Sequence, residues 1–327
     1  MSDAAAVSLG PLHDYVEYDH AADSFLDDVL TGLALSQKKL SSKYFYDERG
    51  SQLFDAICEL PEYYPTRTET ALLRAHAAEF AELIGANASV VEFGSGSSTK
   101  IRILLDALET PAAYIPVDIS RDHLLESSKA LADAYPDLPV VPIAADYTQP
   151  FELPEITGGE ARIGFFPGST IGNFTRAAAV DFLRAAATDL GTDNGLLIGV
   201  DLRKDVGVLH AAYNDAAGVT AEFNLNVLRR VNDELGGNFD LDGFTHDARW
   251  VPDQGRIEMH LVSDWAQEVR VDGQRFAFAA GESIHTEDSH KYDVDEFHAL
   301  AAKAGWRAFR HWTDADNLFS LHYLRVA

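Results

Sequence analysis

Short apolar runs alternate with amphipathic stretches through the middle of the chain. Strands of a parallel sheet are covered on both faces and are therefore apolar throughout, whereas the covering helices repeat apolar residues every three to four positions. The strands predicted in this way are residues 89–93, 113–117, 140–144, 162–166 and 195–201, and the helices between them are residues 100–108, 123–134 and 177–190. This order predicts an α/β fold with a doubly wound, mostly parallel sheet.

The regions before and after this alternation have a different pattern. Residues 1–20 are polar and rich in alanine and glycine, so we expect a loosely held start. After Asp201 the alternation stops for about 85 residues, which indicates an insertion into the core. Further helices are predicted at 21–40, 51–60, 68–83, 207–217, 221–235 and 295–304, and further strands at 256–262, 274–278, 306–309 and 319–324.

Charge and composition narrow the class of substrate. The chain has 52 acidic and 26 basic residues, a net charge of −26, which disfavours nucleic acids and anionic membranes as partners. Cys58 is the only cysteine, and neither a signal peptide nor an apolar run of roughly 20 residues is evident. We therefore expect a cytoplasmic protein that acts on a small molecule, with a monomer as the simplest oligomeric state.

The sharpest local motif lies between the first core strand and its helix, in the segment from Glu92 to Lys100. A phosphate-binding P-loop requires four residues between its glycines, whereas only Ser95 separates Gly94 from Gly96. A dinucleotide-binding loop requires a third glycine where Thr99 stands. An S-adenosylmethionine loop requires an acidic residue followed by a Gly-x-Gly turn, and this sequence supplies both.

Two further acidic residues follow the next two strands. Asp118 comes 22 positions after Gly96 and can accept both hydrogens of a ribose diol. Asp146 can accept from the adenine amino group, and Tyr147 can pack on the ring. Each acid alone is more often a solvated loop residue, but their order after successive strands favours a bound adenosine moiety.

Longer strings extend the pattern over nearly the whole chain, from about Tyr44 to Tyr323. They include residues 60–67 (LPEYYPTR), 166–174 (FPGSTIGNF), 212–216 (AYNDA) and 284–292 (IHTEDSHKY). In these strings the sequence resembles the L-histidine Nα-methyltransferases of ergothioneine biosynthesis. They are far more specific than a Gly-x-Gly turn.

The resemblance implies a Rossmann-like class I methyltransferase core over residues 67–203 and 289–327. It also implies an α+β substrate-binding lobe formed by the N-terminal segment, residues 1–66, and the insertion, residues 204–288. The implied cofactor is S-adenosyl-L-methionine. The implied reaction is three methyl transfers to the α-amine of L-histidine, which give trimethylhistidine, also called hercynine.

The resemblance also assigns residues to the site. The cofactor positions are Gly94, Lys100, Asp118, Asp146 and Tyr147. The substrate positions are Tyr46, Phe54, Tyr63, Asn173, Tyr213, Met259, Glu287 and Ser289. The residues assigned to the reacting centre are Asn173, Tyr213 and Gly168.

The chemistry of these side chains suits a zwitterionic amino acid. Asn173 and Tyr213 can donate to a carboxylate, and carbonyl groups of the Gly168 loop can accept from an amine. Glu287 and Ser289 alternate along an extended stretch, so both can face the same side and satisfy the two nitrogens of an imidazole.

Each assignment has a plainer structural alternative. Asn173 could instead cap a helix, and Glu287 could be a surface acid on an edge strand. The aromatic residues and Met259 could simply pack in a core. His285 and His290 lack a known zinc spacing, so we expect no metal, and the absence of a Gly-x-Ser-x-Gly elbow disfavours a hydrolase.

Other functions remain open on the residues alone. The same scaffold could methylate the α-amine of another amino acid, such as a tryptophan derivative. The chain could also be a non-catalytic partner protein that binds S-adenosylmethionine. A nicotinamide-dependent oxidoreductase is the alternative that the loop favours least.

Overall fold

The computed structural model describes residues 7–9, 12–18, 22–96, 98–149, 151–154, 161–192 and 194–327. The strands are β1 (Val7–Leu9), β2 (Leu12–Glu17), β3 (Lys38–Lys39), β4 (Ala88–Phe93), β5 (Ala113–Asp118), β6 (Ile143–Ala144), β7 (Ala161–Phe166), β8 (Gly195–Asp201), β9 (Phe244–Val251), β10 (Arg256–Ser263), β11 (Gln267–Val271), β12 (Gln274–Phe278), β13 (Ser283–His290), β14 (Trp306–Thr313) and β15 (Phe319–Val326).

The helices are α1 (Ala22–Ala34), α2 (Glu48–Cys58), α3 (Tyr64–Ile84), α4 (Thr99–Ala107), α5 (Arg121–Ala134), α6 (Arg176–Leu190), α7 (Val206–Tyr213), α8 (Val219–Leu235) and α9 (Val294–Lys303). Short 3₁₀ helices lie at Ser42–Phe45, Thr170–Asn173 and Leu241–Gly243. Among the helices of the described ranges, none has both the length and the apolar character that crossing a bilayer requires.

The chain divides into two compact units. The first comprises the described residues within Met1–Asp19, Pro65–Arg203 and Lys291–Ala327, and the second those within His20–Tyr64 and Lys204–His290. These boundaries differ from the expected ones in two places, the N-terminal segment and the end of the insertion. All of residues 1–66 are expected in the lobe, whereas β1 and β2 belong to the first unit because β2 pairs with β6. Ser289 belongs to the second unit because β13 continues to His290 beside β10.

The first unit is built on one large sheet. Its order is β1-β2-β6-β5-β4-β7-β8-β15-β14, nine strands within the described residues. The neighbours from β2 to β8 pair in parallel, and β15 pairs antiparallel with both β8 and β14. The predicted doubly wound, mostly parallel sheet is confirmed.

Burial explains why the central strands are apolar throughout. Every residue of β4 and β8 is buried. Helices α6 and α9 contribute apolar side chains to the core on one face of the sheet, and α3 and α4 contribute to the core on the other. Because both faces are covered, these strands cannot alternate apolar with polar residues.

The first unit differs from the sequence-based expectation in three elements. The predicted strand 140–144 is reduced to β6, since Pro139 and Pro142 have no N–H group for a ladder. Helix α3 begins at Tyr64 rather than residue 68, because Pro65 fits the first helical turn, where an N–H has no partner within the helix. The start expected to be loose forms β1 and β2, while residues 1–6 lie outside the described part.

The second unit contains a four-stranded sheet in the order β3-β13-β10-β9, together with the hairpin β11–β12, all within the described residues. Strand β13 lies between β3 and β10, and all eight of its residues are buried. Met259 of β10 pairs with Glu287, and an irregularity follows between Met259 and His260. The alternative that Glu287 is a surface acid on an edge strand is therefore wrong.

A buried ion pair lies beside the last strand of the parallel region. The Lys291 ammonium nitrogen is 2.6 Å from a carboxylate oxygen of Asp201, and the two side chains are 0% and 1% exposed. The backbone adds two bonds at the same place, because Tyr292 N–H donates to the Asp201 carbonyl and Arg203 N–H donates to the Tyr292 carbonyl. A charge this deeply buried needs its partner.

Removing only the ammonium group should therefore be costly. We expect Lys291→Met to lower the free energy of unfolding by about 3–5 kcal/mol, because Asp201 is left buried without its cation. The double variant Asp201→Asn/Lys291→Met should recover part of that loss. Urea unfolding followed by circular dichroism measures both, and a loss below about 1 kcal/mol for the single variant would contradict a stabilising role of the Lys291 charge.

Candidate active site

The glycine loop after β4 brings together two of the residues predicted to bind cofactor. Gly94 has φ +76°, a left-handed conformation that favours glycine, and its N–H donates to the Val117 carbonyl at 2.8 Å. A Cβ atom at Gly94 would contact the Tyr147 ring at 3.7 Å. The ring of Tyr147 also packs edge-on against Phe93 and Phe166. The loop and this tyrosine therefore form one surface.

The two predicted acidic anchors lie at the ends of neighbouring strands. Asp118, the last residue of β5, accepts from the Ser120 N–H at 2.8 Å and from the Gly96 N–H at 3.4 Å. Burial raises the pKa of Asp118, and these backbone donors counteract the rise. Asp146 follows β6 and accepts from the N–H and the hydroxyl of Thr148 at 3.0 and 2.5 Å. The carboxyl ends of β4, β5 and β6 thus carry the predicted cofactor residues along one sheet edge.

Glu69 is a residue of this unit that the sequence analysis did not identify. Its carboxylate on α3 is 0% exposed and lies 2.5 Å from the Lys100 ammonium nitrogen. It also accepts from the Gly168 N–H at 2.9 Å. A Cβ atom at Gly199 would collide with this carboxylate, which explains a glycine in the middle of β8. Glu69 thereby links two predicted site residues, Lys100 and Gly168, that are far apart in sequence.

Glu92, the acid that opens the glycine loop, is buried beneath it. Tyr114 of β5 donates its hydroxyl to the Glu92 carboxylate in a short hydrogen bond. Burial raises the pKa of Glu92 to about 8, against the lowering effects of the Tyr114 hydroxyl and the Lys100 charge. Around neutral pH the protonated carboxyl is therefore favoured, so Glu92 adds little negative charge beside Asp118.

Asn173 lies at the end of the 3₁₀ helix that follows β7. Helix α6 is capped by Thr175, whose hydroxyl accepts from the Ala178 N–H at 3.2 Å. The alternative that Asn173 caps this helix is therefore wrong. The Asn173 side chain is half-buried, and within the described ranges its amide has no hydrogen-bond partner. The amide is available to a ligand.

In the second unit, three predicted substrate residues are neighbours. The hydroxyl of Tyr213, the last residue of α7, is 2.7 Å from the Ser289 hydroxyl of β13. The rings of Tyr63 and Tyr213 are 6.4 Å apart and meet edge to face. Burial raises the pKa of Tyr63 well above its usual value, and the nearby Tyr213 and Glu287 add to the rise. The Tyr63 phenol thus stays protonated and remains a donor.

An aromatic group adjoins these residues. The Tyr46 and Phe54 rings are 5.7 Å apart, and both contact Phe223 of α8 at 5.6 and 5.9 Å. Phe54 also meets Tyr63 at 6.3 Å. Tyr46, Phe54 and Tyr63 are only partly buried, unlike Met259, which is 2% exposed. The sequence does not single out Phe223 as a site residue, because a phenylalanine on an amphipathic helix predicts only a core position.

One group of metal-ligating side chains occurs among the described residues. Ligand atoms of Glu258, His260 and His285 lie within 4.8 Å of one another. However, the guanidinium of Arg256 is 2.5 Å from the Glu258 carboxylate, and His260 contacts Glu258 at 3.0 Å. A metal ion would have to displace both contacts, so ion pairing and hydrogen bonding account for this group.

Comparison with known proteins identifies the family. A profile of SAM-dependent, histidine-specific methyltransferases matches residues 25–326. The chain belongs to this family. The resemblance inferred from the sequence is thus confirmed, and the protein is an enzyme that uses S-adenosylmethionine.

Relatives agree over most of the length of this methyltransferase. A histidine N-alpha-methyltransferase of Mycolicibacterium smegmatis is 44% identical over 315 residues, 95% of this chain and 97% of that protein. One from Mycobacterium tuberculosis is 42% identical, covering 90% of this chain and 92% of that protein. An ergothioneine biosynthesis protein 1 of Neurospora crassa is 32% identical over 88% of this chain and 33% of its own length.

The position of Glu69 in this methyltransferase leads to a test. Glu69→Gln keeps an acceptor for the Gly168 N–H but removes the charge that holds Lys100, so we expect S-adenosylhomocysteine to bind roughly tenfold more weakly. Isothermal titration measures the change. Glu79→Gln, on the outer part of the same helix, should bind as the wild type does. Equal affinities of Glu69→Gln and the wild type would show that the ion pair does not position Lys100 for the cofactor.

The raised pKa of Glu92 predicts a pH-dependent stability. The stability associated with its protonated carboxyl is present below pH 4.5 and is lost as the pH rises through about 8. Glu92→Gln retains an acceptor for Tyr114 but cannot ionise. Its free energy of unfolding relative to the wild type should therefore rise by roughly 1–3 kcal/mol between about pH 5 and about pH 8. Denaturant titrations across this range check it, and a constant difference would refute the assigned pKa.

Proposed function

We propose that this enzyme transfers three methyl groups from S-adenosylmethionine to the α-amine of L-histidine. The product is Nα,Nα,Nα-trimethylhistidine, or hercynine, in ergothioneine biosynthesis. The observation that supports the choice of amino acid is the polar face of β13. There Glu287, Ser289 and the neighbouring Tyr213 hydroxyl form a buried group with both acceptors and donors, in a member of a histidine-specific family.

The first unit offers a set of residues that fits the cofactor. Asp118 would accept from the ribose hydroxyls, Asp146 from the adenine amino group, and Tyr147 would pack on the ring. Gly94 keeps the loop close, and the buried Ser95 hydroxyl, which has no partner within the described ranges, is a further polar atom for this site. S-adenosylmethionine supplies the methyl group as an electrophilic carbon on a sulfonium. Lys100 is held by Glu69 at the first turn of α4.

Methyl transfer of this kind depends mainly on positioning the nucleophile. The half-buried amide of Asn173 would donate to the amino acid's carboxylate. Carbonyl groups of the Gly168 loop would accept from the amine, orienting its lone pair. The contact between the Gly168 N–H and Glu69 fixes this loop, so its acceptors do not have to be ordered when substrate binds.

Recognition of the imidazole would fall to β13. Glu287 would accept an imidazole N–H and so select one tautomer. The Ser289 hydroxyl, which lies 2.7 Å from the Tyr213 hydroxyl, would contact the second imidazole nitrogen. An amino acid without these nitrogens could not form either hydrogen bond, which is the physical basis of the proposed discrimination. Tyr46, Phe54 and Tyr63 would supply the apolar wall.

The expected partner, oligomeric state and location of the enzyme form a second part of the proposal. We propose that histidine is the partner, that the enzyme acts as a monomer in the cytoplasm, and that neither nucleic acid nor membrane takes part. The net charge of −26 supports the exclusion of polyanions.

A direct assay tests the reaction. The enzyme incubated with S-adenosylmethionine and histidine should yield masses for one, two and three added methyl groups, with the trimethylated form as the end product. Unchanged histidine would end the proposal. Methylation of tryptophan or tyrosine instead would support another amino acid as substrate, and cofactor binding without turnover of any amino acid would indicate a non-catalytic protein.

The role of Glu287 gives a quantitative prediction. Glu287→Ala should lower kcat/KM for histidine by roughly 100-fold, since an imidazole N–H loses a charged acceptor. The loss for tryptophan or tyrosine should be much smaller. Glu282→Gln, just before the same strand, is the matched control and should stay near the wild-type value. Equal losses for all amino acids would refute imidazole recognition by Glu287.

A further inference from the structure

Hydrogen bonds hold the turn after α7 at three consecutive residues, 213–215. The His246 ring nitrogen Nε2 lies 2.8 Å from the Tyr213 carbonyl oxygen. The next side chain, Asn214, pairs with the backbone of Ala248: its amide donates to the carbonyl and its oxygen accepts from the N–H, both at 3.0 Å. Asp215 then accepts from the Val219 and Thr220 N–H groups at 2.9 and 2.8 Å. These contacts fix the backbone from which the Tyr213 side chain projects.

The hydrogen-bond pattern assigns the tautomer of His246. Asn224 of α8 contacts the His260 carbonyl at 3.1 Å, and because a carbonyl only accepts, the amide nitrogen of Asn224 must face it. The same nitrogen lies 2.8 Å from His246 Nδ1, which must therefore accept. The hydrogen of the neutral ring is then on Nε2, where it donates to the Tyr213 carbonyl.

We propose that His246, as the neutral Nε2–H tautomer, is a positioning residue for Tyr213 in binding of the amino-acid substrate. It acts on the backbone at one end of Tyr213, while the hydroxyl at the other end contacts Ser289 at 2.7 Å. A rotation of the turn would move that hydroxyl by more than a hydrogen bond tolerates. The inference rests on the proposed function only in taking Tyr213 as a substrate residue.

The surroundings of His246 favour the neutral ring. Burial lowers its pKa, whereas the Tyr213 carbonyl and the charges of Asp247 and Asp215 oppose this effect. Protonation would also place a hydrogen on Nδ1 against the Asn224 amide hydrogens. The ring therefore stays in the form that donates only through Nε2.

Two amide variants of His246 distinguish the hydrogen bond to the Tyr213 carbonyl from the packing of the side chain. In His246→Gln the side-chain amide reaches about as far as Nε2 and can still donate to the Tyr213 carbonyl. In His246→Asn the amide reaches only as far as Nδ1 and cannot. We expect His246→Gln to bind the amino acid within roughly twofold of wild type and His246→Asn roughly tenfold more weakly. Thr245→Ala, on the opposite side of the same strand, is the matched control.

Binding is measured by isothermal titration, with the amino acid that the wild type methylates as ligand. S-adenosylhomocysteine affinity should be unchanged in each variant, and Tyr213→Phe should cost less in the His246→Asn background than in the wild type. Equal amino-acid affinities for the Gln and Asn variants, or additive effects with Tyr213→Phe, would overturn the inference. A wild type that methylates another amino acid would contradict histidine as substrate yet leave this comparison intact.

Discussion

The register of β13 against β10 is the constraint on which the proposed substrate-binding surface of the second unit depends. Side chains of a strand alternate between two faces, so a shift of one residue would exchange them. Met259 pairs with Glu287 and Ile257 with Ser289, which places both polar residues on one face. The residue between them, Asp288, belongs to the other face.

Charge pairing on that other face stabilises the register. Asp288 lies 2.9 Å from His285 and 3.1 Å from Arg256, and Arg256 also contacts Glu258. Arg256 would lose its carboxylate partner on β13 if Ser289 took the place of Asp288. The ion pairs on one face of β13 thus specify which residues occupy the other. The same principle of a buried charge with a fixed partner recurs in the first unit, at Glu69 with Lys100 and at Asp201 with Lys291.

Strands and helices whose apolar pattern reflects burial can be predicted from the sequence. Elements that are stabilised by partners far away in the chain cannot. The central strands β4, β5, β7 and β8 are apolar because both faces are covered, and they were predicted nearly to the residue. Strand β9, residues 244–251, is not predicted, because it has no clean alternation and carries charged residues such as Asp247 and Arg249, which pair with each other on the same strand. Polar strands of this kind carry no periodic signal.

The site residues also fall into those that the sequence predicts and those that it does not. The cofactor positions follow strands in a fixed order, so local pattern and family resemblance suffice to propose them. Glu69, Phe223 and His246 could not be proposed from sequence, because each acts on residues 20 or more positions away through contacts made only in the folded chain. For a glutamate on a helix or a histidine on a strand, no local sequence signal distinguishes a buried residue that contacts the site from a surface residue. Only the geometry of their partners identifies them.

The central claim is that β13 binds the imidazole of histidine. A crystal structure of the enzyme with histidine and S-adenosylhomocysteine tests it most directly. We expect one imidazole nitrogen within about 3 Å of the Glu287 carboxylate and the other within about 3 Å of the Ser289 hydroxyl. An imidazole bound away from both side chains would contradict it.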